Sequence, residues 1–193
     1  MIQVPHLEWH ITHNCNLSCE GCMHFTNHGH SSNISVDDLI KWYSLWNKRI
    51  SPKSMAILGG EPLLHKNLVD IIYLTKESWK QPEDSYFEIV SNGLLLDKER
   101  HKNLPKALKD TNCFFSLSIH SSPDNQKYSD QIKNTFQILD DWIDEYGIKV
   151  KINDMEPFWS RTYRGFGLNS LPFEDNNPEE SWKNCSAGQK CFQ

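Results

Sequence analysis

The sequence predicts an α/β fold built on a parallel sheet, and three observations carry that expectation. Strand-like runs alternate with helical patterns along residues 6–153. A chain that alternates in this way lays its strands parallel and its helices on the sheet's faces. The residues with chemistry to offer sit just after strand-like runs, where parallel α/β sheets bind their ligands. At 193 residues the chain is long enough for one domain with a real core.

Each element follows from local pattern. Over residues 6–13, Leu7, Trp9 and Ile11 alternate with Glu8, His10 and Thr12, a strand with one apolar face. Ser35 followed by Asp37 and Asp38 is a helix start, and Leu39, Trp42, Tyr43 and Trp46 recur at helical spacing over 36–49. The same spacing argues that Trp42 and Trp46 are core. A second strand is expected at 54–58. A helix at 67–79 carries Leu68, Ile71, Ile72 and Thr75 on one face. A third strand spans 86–90 and ends in Ser91, Asn92 and Gly93, and a helix broken by Pro105 covers 97–109. The fourth strand is 113–120. A long helix over 129–146 shows Ile132, Phe136, Leu139 and Ile143 in register, and a fifth strand covers 148–153. The division expected is a core of residues 1–156 and an irregular tail of 157–193. That tail is rich in Pro, Gly, Asn and aromatics, without sustained period.

The loop after the first strand carries Cys15, Cys19 and Cys22 at C-x3-C-x2-C spacing. One short loop with three thiolates can wrap an iron–sulfur cube and leave one iron without a protein ligand, able to hold a small molecule. Bacterial ferredoxins use a four-cysteine run of different spacing. The rival is a zinc site of three Cys and one His, since His13, His24, His28 and His30 lie close by. Zinc sites usually pair two knuckles, and one such knuckle is present here. His24, His28 and His30 by themselves read as a solvated polar loop, with a second metal site as the alternative. The second strand ends in Gly59, Gly60, Glu61 and Pro62.

Cysteine loop and Gly-Gly-Glu, in that order and each after a strand, resemble the radical S-adenosylmethionine (radical SAM) family. The resemblance covers roughly residues 6–155. It implies an open, partial (β/α)6-like TIM barrel. It also implies a [4Fe-4S] cluster on Cys15, Cys19 and Cys22, with S-adenosylmethionine (SAM) on the open iron. Reductive cleavage of SAM would then yield a 5′-deoxyadenosyl radical that abstracts hydrogen from substrate. Gly59, Gly60 and Glu61 match the motif that holds the amino group of SAM, with Glu61 the candidate side chain. Ser91 and Asn92 are expected near its ribose or carboxylate. Ser116, Ser118 and His120 share the polar face of the fourth strand and point into the barrel if the apolar set packs on helices, with Ser118, His120 and Asn153 expected at SAM or substrate. Lys151 is a candidate for an anionic group. The family often has an aromatic residue before the third cysteine, where this chain has Gly21. Met23 and Phe25 are substitutes for the adenine contact, with ordinary packing as the alternative. Cys185 and Cys191 resemble the start of a SPASM or twitch auxiliary-cluster region, against two plain thiols or one disulfide. Cys113 opens a strand and reads as an inert buried thiol.

Composition excludes several other classes. A formal net charge of −5 without a basic stripe argues against nucleic acid as a partner. No apolar run approaches the ~20 residues of a membrane span, and no secretory leader is expected at the N-terminus. Six cysteines, three at metal spacing, point to a reducing cytoplasm. The expected function is radical SAM chemistry on a polar small molecule (a sugar, nucleotide or amino-acid derivative), with an electron donor such as flavodoxin or ferredoxin. A peptide-modifying maturase is the alternative, and a non-catalytic zinc- or cluster-binding regulatory module is the other class.

Overall fold

The structure, a computed structural model, describes residues 1–19, 22–79, 85–120, 126–154, 163–164, 171–172 and 177–184. Strands β1 (Ile2–His10), β2 (Ile50–Leu58), β3 (Tyr86–Ser91), β4 (Phe114–Ile119) and β5 (Lys149–Asp154) form one sheet in that order. Every pairing is parallel. The crossovers are helices α1 (Val36–Trp46), α2 (Leu68–Ser78), α3 (Leu104–Thr111) and α4 (Gln126–Tyr146). The result is the parallel sheet expected of the α/β alternation, in the open, partial barrel that the family resemblance implies.

The pleat sorts the side chains into two faces. One register row, Trp9–Ile57–Ile89–Phe115–Val150, crosses the sheet on the helix side. Trp9 packs edge-on against Tyr43 of α1, with ring centroids 4.7 Å apart. Leu39, Ile71, Ile72, Leu108 and Leu139 close the layer above it. Glu8, His10, Ala56, Glu88, Ser116, Ser118, Lys151 and Asn153 alternate with these residues and face away from the helices, toward the barrel interior.

Several boundaries differ from expectation: β1 runs over Ile2–His10 in place of 6–13, and its first residues pair with the extended start of β2. β2 starts at Ile50, because Pro52 sits where β2 has only β1 beside it: pairing with β3 begins at Ser54. Pro105 does not break a helix; it lies in the first turn of α3, where a missing N–H costs nothing. The tail is not wholly irregular. It contains an antiparallel pair, β6 (Tyr163–Arg164) with β7 (Leu171–Pro172), and a short helix α5 (Pro178–Asn184).

Trp42 and Trp46 are not core: they are 48% and 42% exposed, whereas Leu39 and Tyr43 are buried. Helical spacing defines a face, not what stands opposite it. Here α1 overhangs β1, the outermost strand, and its two tryptophans wall a groove of about 690 Å³ beside that strand. Tyr43 also donates to or accepts from Thr75 Oγ1 at 2.8 Å. Urea unfolding should separate the two classes. Tyr43→Ala is expected to lose roughly 3–5 kcal/mol, and Trp42→Gln under about 1 kcal/mol.

Candidate functional site

Past His10 the chain leaves the sheet but is tied back to it. Ile11 N–H donates to Leu58 O at 2.9 Å, and Thr12 bridges Asn33 across the base of the cysteine loop. Gly60 N–H then donates to Thr12 O and Glu61 N–H to Asn14 O, both at 2.7 Å. The two strand ends are therefore laced backbone to backbone immediately before Cys15. This contact explains the glycines. A Cβ on Gly59 would lie 2.3 Å from Thr12 O, and one on Gly60 2.1 Å from Asn14 O and 3.1 Å from Cys15 Cβ. Gly59 also sits at φ +155°, a conformation that disfavours side chains.

The Glu61 side chain closes a second lace. Its Oε1 accepts from Leu63 N–H at 2.9 Å and from Ser91 Oγ at 2.7 Å, and Oε2 accepts from Asn92 N–H at 2.9 Å. The carboxylate is fully buried, and that burial pushes its pKa up to about 7 against the pull of the three donors. The carboxylate expected at the amino group of SAM forms a clip between the ends of β2 and β3. Ser91 accepts in turn from Gly93 N–H. The amide of Asn92, expected near a ribose, donates to Asn16 Oδ1 at 2.9 Å and so reaches the cysteine loop. Thr12, Asn14 and Asn16 were missed as positioning residues. Their only signal was amide side chains on both sides of Cys15, which periodicity does not read.

Cys15, Cys19 and Cys22 are half-buried, and none forms a disulfide with another described cysteine. Burial raises the pKa of Cys15; burial, then the charges of the two neighbouring sulfurs, push Cys19 up to about 11. Thiols whose ionisation is opposed in this way, as at Cys15 and Cys19, suit a strongly cationic group beside them. Among the described residues, the one group of three or more His, Cys, Asp or Glu whose ligand atoms lie within 4.8 Å of one another is Glu8, His10 and His24.

The other expected residues divide. Ser116 and Ser118 are buried on the inward face, and Asn153 Nδ2 donates to Ser116 Oγ at 2.7 Å. His120 N–H donates to Tyr128 Oη at 2.8 Å, and burial holds the His120 ring below its usual pKa. Lys151 reaches over the Tyr86 ring, 5.3 Å from its centroid. Met23 and Phe25 are 56% and 42% exposed, so neither is ordinary packing. His24 is not part of a solvated loop: its ring stands edge-on to His10 at 4.3 Å. Cys113 is buried, which raises its pKa well above that of a free thiol. Gly21, Cys185 and Cys191 lie outside the described residues. No described helix is long and apolar enough to cross a membrane.

Comparison with known proteins agrees with this arrangement. The profile of the Radical SAM superfamily matches residues 9–155. A GTP 3′,8-cyclase of Petrotoga mobilis is 35% identical over 98 residues, 49% of this chain and 29% of that protein. A GTP 3′,8-cyclase of Clostridium acetobutylicum is 30% identical over 177 residues, 89% of this chain and 51% of that protein. The chain thus spans about half, or less, of the length of the curated relatives it matches. Among solved structures, Streptococcus suis SuiB bound to its precursor peptide SuiA superposes with TM-score 0.57 at 19% identity, over 78% of this chain and 33% of that one. Native anSMEcpe with bound AdoMet (that is, SAM) superposes with TM-score 0.54 at 18% identity, over 77% and 43%. At these identities the superpositions speak to the fold. The profile match over most of the chain decides the family: the chain belongs to the radical SAM superfamily, whose cofactors are a [4Fe-4S] cluster and SAM.

Proposed function

We propose that this chain is the catalytic core of a radical SAM enzyme acting on a polar small molecule. Cys15, Cys19 and Cys22 hold the cluster, and the laced ends of β1, β2 and β3 hold their loop in place. The cluster and SAM, when bound, supply a hydrogen-abstracting radical. The protein's own part is placement and exclusion of water. Gly59 and Gly60 let the cysteine loop approach the end of β2, Glu61 holds Ser91 and Asn92, and Asn92 holds Asn16. His120 and Asn153 stand on the neighbouring strand ends as candidates for SAM or substrate.

One observation carries the substrate class. The inward wall is polar, with Glu8 and His10 on β1, Ser116 and Ser118 on β4, and Asn153 on β5. Polar groups inside a barrel are costly unless they meet water, each other or a ligand. The names of the curated relatives favour a nucleotide within that class. An electron donor of the flavodoxin or ferredoxin kind completes the proposal.

The test is anaerobic reconstitution with iron and sulfide, reduction with dithionite, and measurement of 5′-deoxyadenosine. SAM cleavage is expected, lost in Cys19→Ala, and faster with nucleoside triphosphates than with cysteine- or serine-containing peptides. Stimulation by peptide alone would shift the substrate to the maturase class. A protein that takes up no iron and cleaves no SAM would leave the regulatory module standing.

A further inference from the structure

The inward face of β1 carries a cluster that the cysteine loop does not account for. Glu8 and His10 are its last two inward positions, and His24 comes over them from the loop, two residues past Cys22. Their ligand atoms lie within 4.8 Å of one another, and all three side chains are only partly exposed. Among the described residues, the buried His10 Nε2 has no hydrogen-bond partner, a position that normally requires explanation. The His24 ring stands edge-on to that of His10, with ring centroids 4.3 Å apart. Glu8 is held from behind by His6, whose Nε2 lies 3.5 Å from Oε1, and His6 Nδ1 is anchored on Ser54 Oγ at 2.8 Å.

We propose that Glu8, His10 and His24 form a divalent-metal site of the zinc class, separate from the three cysteines. Two imidazoles and a carboxylate are a borderline donor set suited to such an ion. Three protein ligands leave a coordination position toward the barrel interior, open to water or to a substrate oxygen or nitrogen. The proposal does not depend on SAM cleavage, since none of its ligands is a cysteine.

The test uses the full chain after cluster reconstitution, freed of loose metal with a chelator and titrated with Co²⁺ and Zn²⁺. One ion per chain is expected beyond the iron, with cobalt ligand-field bands and no near-ultraviolet sulfur-to-cobalt charge transfer. Glu8→Gln and His10→Gln should each weaken zinc binding by roughly a hundredfold. Iron content serves as the folding control. Cys19→Ala should lose the cluster and keep the cobalt spectrum. A charge-transfer band, loss of the ion in Cys19→Ala, or no binding would each overturn the site. So would zinc affinity unchanged in Glu8→Gln, which is isosteric and decides the matter should His10→Gln fold poorly. Failure of SAM cleavage with the cobalt site intact would count against the proposed reaction and not against this metal.

Discussion

Gly60→Ala is expected to strip the protein of iron after reconstitution, by about tenfold or more, while its far-ultraviolet circular dichroism stays close to wild type. The added Cβ would stand 2.1 Å from Asn14 O and 3.1 Å from Cys15 Cβ, and contacts to real Cβ atoms essentially never fall below 3.0 Å. Something has to shift, and the near neighbours are backbone atoms of the cysteine loop, not the far end of a flexible side chain. The loop gives way because its hold on the sheet is a handful of backbone bonds. These run from Gly60 N–H to Thr12 O, from Glu61 N–H to Asn14 O, and from Ile11 N–H to Leu58 O. The core beneath, with Ile57, Leu63 and Leu39 fully packed, has no part in that contact. Gly59→Ala should act in the same direction, with the strain of φ +155° added. Gly29→Ala is the control: it has φ +82° but open space around it, so it pays only the backbone strain of about 1–2 kcal/mol and should keep its iron. Full iron loading in Gly60→Ala would mean that the lacing of β1 to β2 does not position the cysteines.

Glu61→Gln should match wild type to within about 1 kcal/mol near pH 5 and become the more stable protein by up to roughly 3 kcal/mol at pH 7.5. Both carboxylate oxygens face donors: Leu63 N–H and Ser91 Oγ at one, Asn92 N–H at the other. Near pH 5 the folded carboxyl is protonated and, like the amide of glutamine, sets one donor of its own among them, which the Ser91 hydroxyl can turn to accept. The difference between the two proteins should depend on pH with a definite sign. Burial raises the folded pKa of Glu61 from 4.5 to about 7. Below about pH 4.5 the group is protonated in both folded and unfolded chains, and its contribution is fully present. As pH rises toward 7 the unfolded chain ionises first, and stability falls by up to roughly 3 kcal/mol before levelling off above the folded pKa. Glutamine does not titrate, so wild type should lose stability relative to Glu61→Gln from pH 5 to pH 7.5. Urea midpoints of the apo-protein across that range would show it. A difference that stays constant, or that grows in favour of wild type, would mean that the three donors keep Glu61 ionised throughout.

The legible part of the site was the part written in residue type and spacing. The three cysteines, Gly-Gly-Glu and Ser-Asn-Gly all stand at strand ends because a parallel sheet with helical crossovers brings every carboxyl end to one side. What these residues touch was not legible. The glycine pair implied a close approach of something, and the structure shows it to be the backbone of Thr12 and Asn14. Glu61 had the chemistry of a ligand-binding carboxylate, yet its partners are Leu63, Ser91 and Asn92, 2 to 31 residues away in sequence. Trp42 and Trp46 had the spacing of core residues, and only the position of α1 over the outermost strand leaves them exposed.

By itself the sequence determined the order of strands and helices, the inward and outward faces of each strand, and the loop that gathers three thiols. These depend on backbone period and local chemistry, which neighbouring residues set. The tertiary structure alone decided which side chains from distant elements share a space: Glu61 with Ser91, Asn92 with Asn16, and Glu8 and His10 with His24. Such meetings depend on strand register and on the path of the loop above the sheet. No local pattern encodes either of them.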